Sequence, residues 1–512
     1  MKLGKILDKL PMQWLTLGVI VIGTFMAILD SSIVNIAIPK MMSVFNVGTD
    51  KIEWVLTAYM LTMGIVIPLT GVLSDQFGLK KMYIFSLTVF TIGSLLCGLS
   101  WDLSTMIISR VIQAIGGGMI MPISMMLVYK IIPREKIGLA MGFWGIAAMA
   151  APAIGPTLGG YLIEFMDWKL IFNVNIPFGI IGVVLSILLL DEFKGKGVLK
   201  LDIGGALSST ICLFTFLLAL NKGNAEGWMS IYIISLFITS FFSFIAFLWF
   251  ELTHEEPLLD LKILKNFPFS LSLLIGSVTT IMLYGGIFMM PIYLQNLKNL
   301  SPLQAGILMF PSSLATALFM PISGKLFDKY GARGLVLAGL AILTFTTIEL
   351  SYLSLDTSFS SIVWILVIRG AGLGLAMITI QTYGMSKVPK NQISNASALS
   401  STIRQVSGAL GIAVLTSIMS HQQTIHIFNL ANNLNSNSPI FAKFIAETIQ
   451  VGINHGINAI SAKMIWAQVA YGAIMKQAAI SSITDTFWVT IFMGLIGIAL
   501  AFFITKKEII ND

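Results

Sequence analysis

The chain has 512 residues, is 56% hydrophobic and only 11% charged, with a mean hydropathy of +0.88. A soluble globular chain carries about 25% charged residues; here the shortage is uniform apart from short loops, which excludes a soluble main body and indicates an integral membrane protein. The formal net charge of +7 does not argue for nucleic acid, because the basic residues are spread over many short loops and form no stripe.

Only α-helices and closed barrels satisfy every backbone group in lipid. The apolar runs here are continuous rather than alternating, so the spans are helices. The opening MKLGKILDKL before an apolar run mimics a secretory signal. The run continues past Asp30 to Ile38 without a small-residue cleavage site, so it is read as the first span. A window of about 20 residues, the length that crosses a bilayer, picks out fourteen spans. They lie at 14–38, 54–73, 82–100, 104–128, 138–163, 170–190, 203–221, 230–250, 269–294, 303–324, 335–353, 361–384, 396–420 and 485–505. With both ends inside, 20 Lys and Arg fall on the inner side and 8 on the outer, the other three arginines lying within spans. That bias places both termini in the cytoplasm of a multi-pass cell-membrane protein. Cys97 and Cys212 sit inside apolar runs and are expected to be reduced and packed.

An internal repeat follows. Between the second and third spans, GVLSDQFGLKK (Gly71–Lys81) has an echo in GKLFDKYGARG (Gly324–Gly334): Gly71-x-Leu73-x-Asp75-x-x-Gly78 matches Gly324-x-Leu326-x-Asp328-x-x-Gly331. Arg110, two spans after the first loop, is echoed by Arg369; the offsets are 253 and 259 residues. The halves are then spans 1–6 and 9–14, with spans 7 and 8 inserted. This predicts an N-terminal half at 1–200, an inserted pair at 201–252 and a C-terminal half at 253–512, whose long outer loop runs over 421–484. Two six-helix halves related by an axis along the membrane normal suggest a secondary transporter with a central site. In the outer loop, 441–451 and 462–475 carry apolar residues at helical spacing and are expected as two surface helices resting at the interface; a lid and a re-entrant hairpin are the alternatives.

The motif set resembles a known family. GVLSDQFGLKK looks like the inner-loop signature of the major facilitator superfamily. LDSSIVNIAIP (Leu29–Pro39) resembles the first-span motif of its fourteen-span drug/proton antiporter branch, Arg110-Val-Ile-Gln113-Ala-Ile-Gly116 the fourth-span motif, and APAIGPTLGG (Ala151–Gly160) the fifth-span antiporter motif. Trp168–Pro177 and Pro257-Leu-Leu-Asp260-Leu also look typical of that branch. The resemblance runs from Leu29 to about Thr416; it departs at Ala151, where the motif normally has glycine. It implies the major facilitator fold, an all-α membrane protein of two six-helix halves plus two inserted helices. It also implies proton-coupled export of lipophilic, often cationic compounds by alternating access. A dedicated exporter or flippase of one endogenous lipid or metabolite is the alternative.

The residues themselves carry a physical reading. Gly71 and Gly78 permit close approach and a tight turn. Asp75 sits near the N-terminus of the following helix and beside basic residues, where it could cap a helix or pair with an arginine; Asp328 repeats it. Both are assigned to conformational gating with Gly71 and Gly78. In the fifth span Ala147, Ala151, Gly155 and Gly159 recur every four residues, so another helix can approach closely, while Pro152 and Pro156 permit a bend. Gly155, Pro156 and Gly159 are expected to form a hinge or seal, with plain packing as the alternative.

Ionisable groups inside spans are few and costly, and each is a functional candidate: Asp30, Arg110, Glu349, Arg369 and Arg404. A carboxylate balanced between burial and a nearby cation can titrate as a cavity opens to either side, so Asp30 is the first candidate for proton coupling or substrate binding. The resemblance places Arg110 in the cavity wall as its partner, with Gln113 one turn on. Glu349 is a candidate second proton or cation site, or a side chain that snorkels. Tyr59, Trp144, Tyr284 and Tyr293 are candidates for cavity lining. No phosphate loop, metal-binding histidine spacing or Ser/His/Asp set is visible, so a transporter rather than an enzyme is expected. Small-molecule substrate, protons and the bilayer would be its partners, with no cofactor, no metal, no nucleic acid and a monomeric state.

Overall fold

The computed structural model describes residues 12–193, 202–254, 257–433, 443, 446–447, 449–451, 454 and 458–505. These are helical, with no strand among the described residues. Fourteen helices are long and apolar enough to cross a membrane. They are α1 (Met12–Phe45), α2 (Trp54–Phe77), α3 (Leu79–Leu99), α4 (Leu103–Ile131) and α5 (Ile137–Phe165), then α6 (Asn175–Leu189, after a short helical turn at Leu170–Asn173). α7 (Ile203–Glu226) and α8 (Ile231–Thr253) precede α9 (Phe267–Ile292), α10 (Pro302–Tyr330), α11 (Arg333–Leu350), α12 (Phe359–Ser386), α13 (Ile393–Asn433) and α14 (Ala459–Ala501).

Local chemistry explains where they start and stop. A short polar side chain stands just before the apolar run and accepts a backbone N–H of the first turn at Asp102, Asp202, Ser230, Asn266, Ser301, Ser358 and Asn458. At Asp102 and Ser301 the third helical residue reaches back to close a capping box. The two repeated loops share a backbone device: Gly78 and Gly331 both hold positive φ, 92° and 81°, a conformation that favours glycine. The tight turn expected at Gly78 is therefore present, and present twice.

Helices α1–α6 pack on one another, and so do α9–α14. Across the two sets, α5 packs on α10 and α2 on α13. Each helix that leads into a repeated loop thus lies against the fifth helix of the opposite set. Small residues make this close. A Cβ on Gly71 would meet the Ser394 carbonyl of α13 at 3.2 Å, and one on Gly324 the Gly138 carbonyl of α5 at 2.0 Å. On the face bearing these loops, one apolar core runs through both sets, from Leu17 and Met126 to Met385 and Leu399. On the opposite face the core splits in two, one part around Ile33, Met41 and Phe172, the other around Met290, Leu350 and Phe487. The two sets are therefore joined at the loop face and separate beyond it.

Helix α7 lies beside α2 and α13, and α8 packs on α7. Phe241, Phe242, Ile245 and Trp249 on α8 remain exposed, as suits a lipid-facing helix. One expectation is corrected. Stretch 462–475 is not a separate surface helix; it lies inside the continuous 43-residue α14. Likewise residues 421–433 prolong α13. Apolar spacing shows a helical face but not where the helix ends, and no proline interrupts 459–501. Within 441–451, positions 441, 442, 444, 445 and 448 lie outside the described residues.

Candidate functional site

The site is built from α4 outward. Asp102 caps this helix: its carboxylate accepts the Thr105 N–H at 2.7 Å, and that bond, with the Thr105 hydroxyl, holds the carboxyl below the ordinary carboxylate range. From this fixed start, Arg110 and Gln113 project one turn apart toward α1. Arg110 Nη1 donates to Asp30 Oδ2 at 2.6 Å and to Gln113 Oε1 at 2.5 Å. Gln113 Nε2 donates to Asp30 Oδ1 at 2.8 Å and to the Ser94 hydroxyl of α3 at 2.7 Å. Asn175, the first residue of α6, donates to the same Asp30 oxygen at 2.8 Å. The guanidinium also lies 3.8 Å over the Tyr59 ring of α2, a cation–π contact strengthened by the absence of water. Asp30 and Arg110 are each 1% exposed and Gln113 is fully buried.

Five helices thus converge on one carboxylate. Its charge is balanced by one guanidinium, and its oxygens accept three side-chain donors. Such a pair avoids the cost of a lone buried ion, and losing either member exposes the other to that cost. Tight packing supports it: a Cβ on Gly93 of α3 would sit 2.4 Å from the Gln113 Cα. The fifth-span face of small residues packs beside this motif, with Gly155 against Ser32 of α1 and Gly159 against Ile33. The side chain of Pro156 lies outside the described residues.

The other expected residues lie elsewhere. Glu349 is exposed near the end of α11 and does not join Asp30, a position that suits a side chain that snorkels. Its helix turns it outward while its neighbour Leu350 is buried. Asp328 caps the opposite set: its carboxylate accepts the N–H groups of Gly138 and Leu139, in the first turn of α5, at 2.9 and 3.1 Å. Asp75 does not do this for α13. Half-buried in the last turn of α2, its carboxylate has no hydrogen bond or ion pair among the described residues. The expected cap is corrected for this residue.

Arg369 of α12 repeats Arg110 without its partner. It donates to the Thr347 hydroxyl and the Met282 carbonyl, both at 2.5 Å. The α9 position facing it is Gly286, whose added Cβ would sit 2.9 Å from its Nε. Asn175 and Ser94 escaped the reading of the sequence, although Asn175 is a polar residue inside an apolar run and that signal was available. Glu251 escaped it too. It is 3% exposed and accepts the Leu259 N–H at 3.0 Å, but the eighth span was drawn to end one residue before it.

Comparison with known proteins agrees with this architecture. Residues 20–412 match the Major Facilitator Superfamily. An uncharacterised MFS-type transporter of Bacillus subtilis, YhcA, is 35% identical over 97% of this chain and 93% of that protein. The riboflavin transporter RibZ of Clostridioides difficile is 34% identical, over 80% of this chain and 89% of its own length. The lincomycin resistance protein LmrB of Listeria innocua is 30% identical, over 79% and 86%. Among solved structures, the proton:xylose symporter XylE superposes with a TM-score of 0.58 at 14% identity, over 97% of this chain and 96% of that one. With fourteen membrane helices and a buried Asp–Arg pair at its centre, the chain belongs to the major facilitator superfamily and is a membrane transporter of small molecules, not an enzyme.

Proposed function

We propose that this transporter is a proton-coupled exporter of lipophilic compounds in the cell membrane, working as a monomer with both termini in the cytoplasm. The observation that carries the coupling is the Asp30 carboxylate, buried and held by Arg110, Gln113 and Asn175. A proton on Asp30 cancels its charge and leaves Arg110 unbalanced, so the two protonation states favour different packings of α1, α4 and α6. That difference is what ties proton passage to rocking of residues 1–200 against 253–512. With the loop face cytoplasmic, the shared core on that face and the separate cores opposite correspond to a site facing outward. Asp30 takes a proton from outside, the halves rock, the proton leaves inside and substrate takes the cavity. Gly71, Asp75, Gly78 and Asp328 would act in closing the loop face, and Gly155, Pro156 and Gly159 in the bend of α5.

Export is supported by the resistance protein among the relatives. Asp30 alone suggests cationic substrates. With a guanidinium already on it, a cation has to displace Arg110, so lipophilicity rather than positive charge is the property we assign. The second reading, a dedicated exporter of one endogenous compound, is favoured by the riboflavin transporter among the relatives. The test is transport of rhodamine 6G in proteoliposomes under an imposed pH gradient. Asp30→Asn is expected to lose gradient-driven accumulation and keep downhill equilibration. Undiminished accumulation in that variant would remove Asp30 from the coupling.

A further inference from the structure

The charges within the helices do not balance across the molecule, and one that stands apart, Arg404, is half-buried. Asp30 and Arg110 neutralise one another, but Arg404, on α13, has no hydrogen bond and no carboxylate partner among the described residues. The phenols of Tyr284 on α9 and Tyr129 on α4 lie near it. Arg404 lines a cavity of about 40 Å³ together with Ser272, Ser277, Thr279, Thr280 and Gln381. The cavity is lined from α9, α12 and α13, and one of its wall residues, Gln381, meets the other half by donating to the Met125 sulfur of α4.

Gln381 is 7% exposed, lines the cavity, and its Oε1, an acceptor, has no hydrogen-bond partner. Buried polar groups are normally satisfied, and a charge away from water is normally paired. The Ser272, Ser277, Thr279 and Thr280 hydroxyls already donate to carbonyls of their own helix, so the Arg404 guanidinium, with no acid beside it among the described residues, is the charged donor of this wall that awaits an acceptor. A cation would be repelled here; a neutral compound would leave the charge unpaired.

We infer that the cavity at Arg404 is an anion-binding subsite, which takes the acidic group (carboxylate, sulfonate or phosphate) of an otherwise lipophilic compound. Arg404 supplies both the charge and the N–H donors. The apolar remainder of the ligand meets Phe269, Met377, Ile380 and Ile403, which line the same space. This names a substrate class for the exporter proposed above and rests on that reading for its place in a transport cycle. The binding itself does not depend on it.

The experiment measures binding of two xanthene dyes of opposite charge, fluorescein and rhodamine 6G, to the full-length protein in neutral detergent by fluorescence anisotropy. Wild type is expected to bind fluorescein. Arg404→Gln should weaken it about tenfold or more, the worth of one charge-assisted hydrogen bond, Arg404→Lys should restore most of it, and rhodamine 6G should bind no more weakly than before. Monodisperse elution of each variant confirms that it is folded, and Gln381→Leu, which keeps the charge, should give a smaller loss. Displacement of fluorescein by phosphatidylglycerol but not phosphatidylcholine would assign the subsite to a lipid head group, and its absence to a free organic anion. No fluorescein binding by wild type, an unchanged affinity in Arg404→Gln, or an equal loss for both dyes would overturn the proposal. The Asp30→Asn transport test with rhodamine 6G is separate, so either idea can fail while the other stands.

Discussion

Arg110 and Arg369 occupy corresponding places in a duplicated architecture, yet only one faces a carboxylate. In the first half, α1 offers Asp30, and α3 and α6 add Ser94, Gln113's acceptor, and Asn175, a donor to the carboxylate. In the second half, α9 offers a main-chain carbonyl at Met282 and the bare backbone of Gly286. Duplication kept the cation and not the acid. At these positions the first half holds a charge-balanced pair, and the second half a guanidinium bonded to neutral oxygens. The difference suggests a division of labour in which the first half couples to protons and the second half sets the electrostatics seen by the substrate.

The largest expected effect tests that contrast directly. Arg110→Met strands a buried carboxylate and should cost about 3–5 kcal/mol of stability, read as the loss of thermal unfolding temperature in detergent. Adding Asp30→Asn to it should recover much of that cost. Arg369→Met removes a cation that has no acid to strand, and should be close to neutral in the same assay. Equal losses for the two arginines would break the comparison.

Close packing gives the next contrast. Gly93→Ala drives a methyl into the Gln113 backbone at 2.4 Å, which cannot move without shifting α4; overpacking of this kind costs about 1–3 kcal/mol. Gly286→Ala meets only the Arg369 side chain, at 2.9 Å from Nε, and should cost less. Thermal unfolding of both variants decides, and the reverse order would show that the Arg369 region is the more rigid of the two.

The smallest effect concerns the two loops. Asp328→Asn weakens a carboxylate cap on α5, worth roughly 0.5–2 kcal/mol. Asp75→Asn disturbs no bond seen in this conformation and should stay within about 0.5 kcal/mol. Labelling of single cysteines at the loop face checks the same point: Asp328→Asn should raise their reactivity, and Asp75→Asn should leave it unchanged. A rise in both would mean that Asp75 also holds this face shut.

Legibility in the sequence followed the range of the interaction. Fourteen spans were readable because a bilayer imposes a length and an apolar composition on each, residue by residue. Asp30, Arg110 and Gln113 were readable because charge and amide groups are expensive in such runs. Glu349 is ambiguous in the sequence because a carboxylate near a helix end costs little, and only the helix's rotation shows which way it faces. Asn175 was passed over because it sat in a recognisable motif without a stated task. Glu251 was lost to a boundary drawn one residue short.

By itself the sequence determined the class, the number of spans, the repeat and the few ionisable groups with a reason to be buried. These depend on transfer of each side chain from water and on short-range spacing, and both are local. The tertiary structure alone decided which charges meet. It brought Asn175 and Ser94 to the Asp30 network across 145 and 64 positions, put Asp328 on α5, and, among the described residues, left Asp75 without a bond and Arg404 beside a cavity with no acid near it. A duplicated motif predicts two equivalent sites. Whether they are equivalent depends on what the neighbouring helices present to them, and that is a property of packing.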